Sequence, residues 1–287
     1  MPPALGDYKG PLGLLAGLGY LPVQVAQAAA QRKQGVYVLR LKGFVEPALS
    51  EFPGEIIGLG EVGGMIKAFR AAGCQTVCFA GKVSRPDFSC LKPDLKGMSL
   101  LPKVISAARK GDDALLRVIV EAFEAEGFDV IGADTASGKL IASEGLISGP
   151  VPEDEQMSDL RKAARIASEV GRLDIGQGAI VCDGLVLCVE AQEGTDAMLR
   201  RCSELDERLR GSVQNRRGVL VKRPKPIQER RIDLPTIGLA TIERVAEAGL
   251  AGIGIEAGGA LLVDRQAVME RASDLGIFIF GFPREWA

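Results

Sequence analysis

From residue 12 onward the chain alternates short apolar runs with helix-length amphipathic segments, a rhythm that few architectures accept. Leu12–Ala16 reads as a strand, 21–33 as a helix, Val36–Leu41 as a strand, 61–72 as a helix and Thr76–Ala80 as a strand. Strands spaced by helices in this way build an open parallel sheet covered by helices, the Rossmann-like form of α/β fold. Residues 87–99 read as a loop, with Pro86, Pro93 and Gly97 as punctuation. Asp112 and Asp113 then open a helix whose apolar face, Leu115, Leu116, Val118, Ile119 and Phe123, ends near Gly127.

The rhythm lapses between 132 and 155, where glycines, serines, two prolines and an acidic run take over. The expected organisation is therefore an N-terminal domain over 1–135, a linker over 136–155 and a C-terminal mixed α/β domain over 156–287. After Pro152, the positions Met157, Leu160, Ala163, Ala164, Ala167 and Val170 line one helix face. The run AIVCDGLVLCVE at 179–190 reads as two strands around Asp183–Gly184, a pair suited to a type I′ hairpin. Further strands are expected at 218–222, 251–255, 260–263 and 277–281, with helices near 195–209, 239–248 and 265–274.

Composition removes several kinds of chemistry. The 287 residues contain no histidine, so serine and cysteine triads, imidazole bases and imidazole metal ligands are excluded together. Catalysis must use carboxylates, lysine, backbone groups or a hard cation. Net charge is −2, with 35 basic and 37 acidic residues, which offers no footprint for nucleic acid. The six cysteines lack zinc-knuckle spacing and several sit in apolar runs, so buried free thiols are expected. Glycines at 13, 17 and 19 and Pro22 break the first apolar region, against a signal peptide, and no run is long enough to span a bilayer.

Four stretches could carry chemistry. Gly17, Leu18 and Gly19 follow the first strand and open a helix, where glycines let backbone N–H groups approach a phosphate; a plain tight turn is the other reading. GKVSRP at 81–86 lies beyond the Thr76–Ala80 strand, where ligands gather in open α/β sheets, and offers Lys82, Ser84 and Arg85. LDIGQG at 173–178 and VEAQEGTDAML at 189–199 bracket the hairpin. There Thr195 or Asp196 serves as a helix cap, while Glu190 and Glu193, beside Gly194, suit Mg²⁺ or sugar hydroxyls. The segment 222–238 gathers Lys222, Lys225, Gln228, Glu229, Arg231 and Asp233, with Pro226 and Pro235 restricting the backbone around it. Asp233 reads either as the partner of Arg231 or as a metal ligand or base for water.

The stretches AGLGYLP, FAGKVSRPDFS, ARKGDDALL, RLDIGQGAIVCDGLVLCVEAQEGTDAMLRR and KPIQERRIDLPTIG resemble the I-type UDP-2,3-diacylglucosamine pyrophosphatase family of lipid A biosynthesis. The resemblance implies Mg²⁺-dependent cleavage of UDP-2,3-diacylglucosamine to UMP and 2,3-diacylglucosamine 1-phosphate (lipid X), with water attacking the sugar-side phosphorus. It implies a ligand chamber between two domains and a cytoplasmic location, peripheral on the inner face of the inner membrane; the assembly is left open, a homodimer among the options. Carried onto these positions, it makes Asp233 the catalytic acid; the acids themselves make Asp233, Glu193 and Asp196 the expected metal ligands. The implied substrate contacts are Gly17, Leu18, Gly19, Lys82, Val83, Arg85, Asp174, Gly176, Gln177, Gly194, Thr195, Lys225, Gln228 and Thr236. Leu18 stands where the family often has a third small residue.

Two other classes compete. A non-catalytic carrier of a nucleotide sugar or lipid would keep the glycine turn and basic loop without needing Asp233. A nicotinamide-dependent oxidoreductase would share the strand, turn and helix. Its fingerprint is incomplete, however, and Arg40, Leu41 and Lys42 stand where an acid should end the second strand.

Overall fold

The computed structural model describes residues 8–33, 35–84, 87–138, 140–226 and 228–286. The chain divides into two compact units, Met1–Lys139 with Arg231–Asp233, and Leu140–Arg230 with Leu234–Ala287.

The first unit contains β1 (Leu12–Ala16), α1 (Tyr20–Ala30), β2 (Val36–Leu41), β3 (Gly54–Ile57), α2 (Val62–Ala71) and β4 (Thr76–Ala80). These are followed by α3 (Leu95–Ala108), α4 (Asp112–Glu124), β5 (Asp129–Ile131) and α5 (Ala133–Ser137). Its five strands run in the order β3-β2-β1-β4-β5, every pair parallel. The step from β1 to β2 goes one way along the sheet and the step from β3 to β4 goes the other. Right-handed crossovers therefore put α1 and α2 on opposite faces, and the reversal opens a crevice at the carboxyl ends of β1 and β4. On the α2 face, Leu15, Leu39, Val77 and Val130 pack with Met65, Phe69, Val120 and Phe123. Phe123 meets Phe69, Phe79 and Phe128 at centroid distances of 5.1 to 6.3 Å.

Two departures from the sequence reading have simple causes. Strand β3 was not anticipated, because it is a four-residue edge strand, GEII, in which Glu55 and even the apolar Ile56 are exposed, too short to show an alternation or an apolar run. The loop expected over 87–99 ends at Asp94, whose carboxylate accepts the Gly97 N–H at 2.8 Å and starts α3. Gly97 is there for close approach rather than to break the helix: a side chain would collide with the Gly60 carbonyl.

The second unit begins with β6 (Gly145–Ser148), α6 (Asp154–Arg172), β7 (Gly178–Cys182), β8 (Leu185–Val189), α7 (Gly194–Ser203) and α8 (Glu207–Arg210). It continues with β9 (Val219–Lys222), β10 (Thr236–Ile237), α9 (Leu239–Glu247), β11 (Gly252–Glu256), β12 (Leu261–Leu262), α10 (Arg265–Asp274) and β13 (Phe278–Phe282). Six strands form a mixed sheet, β6-β13-β11-β9-β7-β8, whose central three are parallel, and β10 pairs with β12. The stretch 136–155 thus contains a strand of this sheet.

Helix α6 starts with a reciprocal cap between Glu153 and Gln156, and its Leu160, Ala163, Ala164 and Ala167 lie on Val181, Val219 and Val221. Helices α7, α9 and α10 cover the other face over Ile180, Leu220, Ile253 and Ile255. The β7–β8 turn has φ +50° at Asp183 and +75° at Gly184, as a type I′ hairpin requires. Asp159, buried on α6, accepts the N–H groups of Asp183 and Gly184 at 2.9 and 2.8 Å, tying hairpin to helix. All six cysteines are free; Cys90 is exposed and the other five are buried. Among the described residues, no helix is long and apolar enough to cross a membrane.

Candidate active site

In the first unit, the loops after β1 and β4 are locked together at the switch point. Leu18 and Lys82 form a two-way backbone bridge, with N···O distances of 3.0 and 2.8 Å, and the Gly17 N–H donates to the Ala80 carbonyl at 2.9 Å. The approach excludes a side chain at 17, where a Cβ would lie 2.7 Å from the Lys82 carbonyl oxygen and 2.9 Å from Val83 Cγ2. Gly17, Leu18, Lys82 and Val83, singled out from sequence, are therefore assembled at one edge. The side chains of Leu18, Tyr20, Lys82, Val83 and Ser84 are exposed there. Lys82 has no carboxylate partner among the described residues, so its ammonium remains available to an anion. Leu18 joins through its backbone, so the bulk that departs from the family pattern points away from the bridge. Gly19 begins α1, and its N–H donates to Glu46 Oε2 at 3.0 Å. The start of a helix favours negative charge, and the Glu46 carboxylate occupies that position here. Glu46 was not evident from sequence, since it lies in an ordinary polar loop. Arg85 lies outside the described residues.

The segment that carries Asp233 packs with this same unit. Ile232 sits partly buried against the core formed by α2 and α4. The Arg231 guanidinium holds Glu124 Oε1 at 2.6 Å, and the Arg231 carbonyl faces Gly132, just beyond the carboxyl end of β5. In a parallel sheet the carboxyl ends of β1, β4 and β5 share one edge. A half-buried Asp233 is thus brought to the edge that bears the glycine turn and Lys82, although it lies 151 positions from Lys82 in the chain.

A second cluster occupies the second unit, where β9 and β11 end and the antiparallel β7 begins. Asp174 has φ +56°, strained for a residue with a side chain, and its Oδ1 pairs with Lys225 Nζ at 2.7 Å. Gln228 Oε1 accepts the Lys225 N–H at 2.9 Å, and a side chain on Gly176 would collide with the Glu190 carbonyl. Thr195, one of two candidate caps of α7, does not cap: its hydroxyl donates to Glu190 Oε1 at 3.0 Å. Glu190 is buried, and among the described residues its Oε2, like Gln177 Oε1, has no hydrogen-bond partner. Glu190 lies over Gly178, whose missing side chain makes room for the carboxylate, and Lys222 is the buried cross-strand neighbour of Gly178. Thr236 donates to the Leu234 carbonyl at 3.2 Å. Asp174, Gly176, Gln177, Gly194, Thr195, Lys225 and Gln228 therefore share one sheet edge.

Two features of that edge were missed from sequence. Glu256, at the end of β11, receives Arg223 at 2.7 Å and Arg230 at 2.6 Å, and both Glu256 and Arg223 are buried. Glu256 was hidden at the end of the apolar run 252–256, and Arg223 lies between Lys222 and Pro224 in a segment read for its other charged groups.

The remaining acids expected at a cation are already engaged. Glu193 Oε1 holds Arg201 at 2.7 Å, and Asp196 Oδ1 lies 3.3 Å from Arg244 Nε. Its own backbone N–H, and then Arg201, hold the Glu193 carboxyl below its ordinary range. Among the described residues, no three acidic or cysteine side chains gather as a ready-made metal cage. Arg40, which argued against a nicotinamide site, is buried and donates to the carbonyls of Leu49 at 2.8 Å and Phe52 at 3.2 Å.

Residues 11–140 match the LpxI N-terminal domain, and residues 143–280 match the LpxI C-terminal domain. The UDP-2,3-diacylglucosamine pyrophosphatase LpxI of Caulobacter vibrioides is 56% identical over 270 residues, which cover 94% of this chain and 96% of that protein. The two matched domains together span almost the whole chain, and the motifs at both sheet edges lie within them. This chain belongs to the LpxI family.

Proposed function

We propose that the protein hydrolyses the pyrophosphate of UDP-2,3-diacylglucosamine, releasing UMP and 2,3-diacylglucosamine 1-phosphate, at the cytoplasmic face of the inner membrane. The observation that carries this reading is the packing of Arg231–Asp233 onto the first unit, at the edge holding the glycine turn and Lys82. Hydrolysis of a phosphoanhydride needs neutralised phosphate oxygens and an oriented water. Lys82 and the N–H groups at the start of α1 provide for the first, with Glu46 occupying the Gly19 N–H until an anion replaces it. Asp233 provides for the second: its carboxylate orients the water for attack on the sugar-side phosphorus and accepts its proton.

The donor set suits Mg²⁺ of one particular kind. With Glu193 and Asp196 held by arginines, the cation would rest on Asp233 and on oxygens of the pyrophosphate itself, as Mg²⁺ commonly does when it accompanies substrate phosphates. Bound there, it would supply charge neutralisation. In the second unit, Asp174, Gly176, Gln177, Gly194, Thr195, Lys225, Gln228 and Thr236 are proposed substrate contacts. The orphaned acceptors on Gln177 and Glu190 support a ligand bearing hydroxyl or amide donors.

The test is UMP release from UDP-2,3-diacylglucosamine by the purified chain, with and without chelator, in isotopically labelled water. UMP release that stops with chelator and returns with Mg²⁺, with label on the sugar phosphate, is the expected result. Tight binding of the nucleotide sugar without UMP release would make the protein a carrier instead.

A further inference from the structure

Helix α3 is apolar on two sides. Gly97, Ala107 and Ala108 are buried, and Leu100 packs on the core of the first unit. On the opposite side Leu95 is 84% exposed and Met98 52% exposed, with Pro102 exposed one turn further on. The spacing i, i+3, i+7 makes these three a continuous stripe on the outer face. Leu95, at 84%, is the most exposed of the large apolar side chains among the described residues.

The stripe lies within a strongly basic stretch. Between residues 91 and 110 there are five basic side chains, Lys92, Lys96, Lys103, Arg109 and Lys110, against the single acid Asp94, in a chain whose net charge is −2. Lys96 is tied to Glu126 at 2.6 Å, and Asp94 is used up by the N–H groups of Gly64 and Gly97 at 2.8 Å each. Lys92, Lys103, Arg109 and Lys110 are exposed and form no ion pair among the described residues. An outward apolar stripe fringed by unpaired cations is the pattern of a helix that lies in a bilayer interface, its apolar side chains among acyl chains and its cations among anionic headgroups. An anionic lipid surface uses both features at once, the apolar side chains in its acyl region and the cations at its headgroups.

The location agrees. Helix α3 starts against the loop that follows β3, with the Asp94 N–H on the Gly60 carbonyl at 3.3 Å. It therefore starts at the carboxyl edge of the sheet, where Gly17 and Lys82 also lie.

We propose that the outer face of α3 docks the protein on an anionic phospholipid surface, with Leu95 and Met98 inserted and Lys92, Lys103, Arg109 and Lys110 on the headgroups. The inference rests on the reading of a diacylated substrate, which would be met at such a surface.

The experiment is co-sedimentation of the full chain with vesicles of phosphatidylglycerol mixed into phosphatidylcholine, against phosphatidylcholine alone. Binding should require phosphatidylglycerol and weaken as salt is raised. Leu95→Gln with Met98→Gln, and separately Lys103→Glu with Lys110→Glu, should each lower binding on the order of tenfold or more. Both double variants should keep the wild-type melting temperature and full hydrolysis of a short-acyl, water-soluble substrate. Absence of wild-type binding, or binding indifferent to salt and to both pairs, overturns the proposal. So does a wild-type dimer that the α3 substitutions split, as read by light scattering, because the stripe would then face a second copy. Hydrolysis of the soluble substrate persists in each of these cases, so a failed docking surface stays distinct from a failed enzymatic reading.

Discussion

Replacing Gly17 with alanine puts a methyl group 2.7 Å from the Lys82 carbonyl oxygen and 3.0 Å from its carbon. These are backbone atoms, so the neighbour cannot swing aside as a flexible side chain would. Two responses are open. The clash can stay, at about 1–3 kcal/mol for overpacking, or the loops can part and lose the Leu18–Lys82 hydrogen bonds at about 1 kcal/mol each. The second route caps the cost, so destabilisation should be about 2 kcal/mol, a fall of roughly 4–8 °C in Tm. Parting the loops also moves Lys82 away from the α1 start, and a displacement of about 1 Å at such a site can cost up to about 10²-fold in rate. The variant should therefore lose both Tm and kcat/KM, measured by thermal melting and UMP release. Lys82→Ala, with its exposed side chain, should lower kcat/KM at unchanged Tm. A Gly17→Ala protein with wild-type melting and wild-type kcat/KM would refute the account of the locked turn.

Asp233→Asn should reduce turnover by at least ~10²-fold, while Ile232 and the Arg231–Glu124 pair keep the segment seated; single-turnover hydrolysis measures the loss, and near-normal turnover would end its assignment to the chemical step. Glu256→Ala leaves Arg223 buried without its carboxylate and should cost about 3–5 kcal/mol in urea denaturation; a change below about 1 kcal/mol would mean that solvent reaches Arg223. An alkylating reagent should label Cys90 first, with the other five cysteines protected until the protein unfolds, and peptide mapping after brief exposure would reveal any earlier labelling of a buried thiol.

Most of the secondary structure was legible because burial wrote it into local composition. Strands β1, β4 and β7 are buried along their whole length and appear as short, mostly apolar runs, and β2 and β9 show the same run broken only by Arg40 and ended by Lys222. Helix α6 displays its apolar stripe cleanly because the other side meets water. Elements that escaped notice lack that imprint. Strand β6 is four residues long in glycine- and serine-rich surroundings, and β3 exposes two of its four side chains. The start of α3 was hidden by a proline and a glycine, although Pro93–Asp94 carried a readable helix-start signal.

What the sequence by itself determined is chemical inventory and local order. A chain without histidine must rely on carboxylates, lysine, arginine and backbone groups, and the alternation of strand and helix leads to a parallel sheet whose carboxyl edge collects loops. Asp183–Gly184 likewise fixes its turn locally, because both positions must adopt positive φ. What only the tertiary structure decided is which side chains meet. Arg231–Asp233 follows β9 in sequence yet packs beside Gly132, because Ile232 packs, partly buried, against the first unit's core and Arg231 reaches Glu124. Thr195 could cap a helix or serve a carboxylate, and it serves Glu190 because the Gly176–Gly178 loop leaves room for Glu190 to turn inward. Glu193 and Asp196 read from sequence as cation ligands, and only the fold brings Arg201 and Arg244 beside them. Such partnerships depend on distances across the fold, set by the packing of whole elements, and a run of residues carries no record of them.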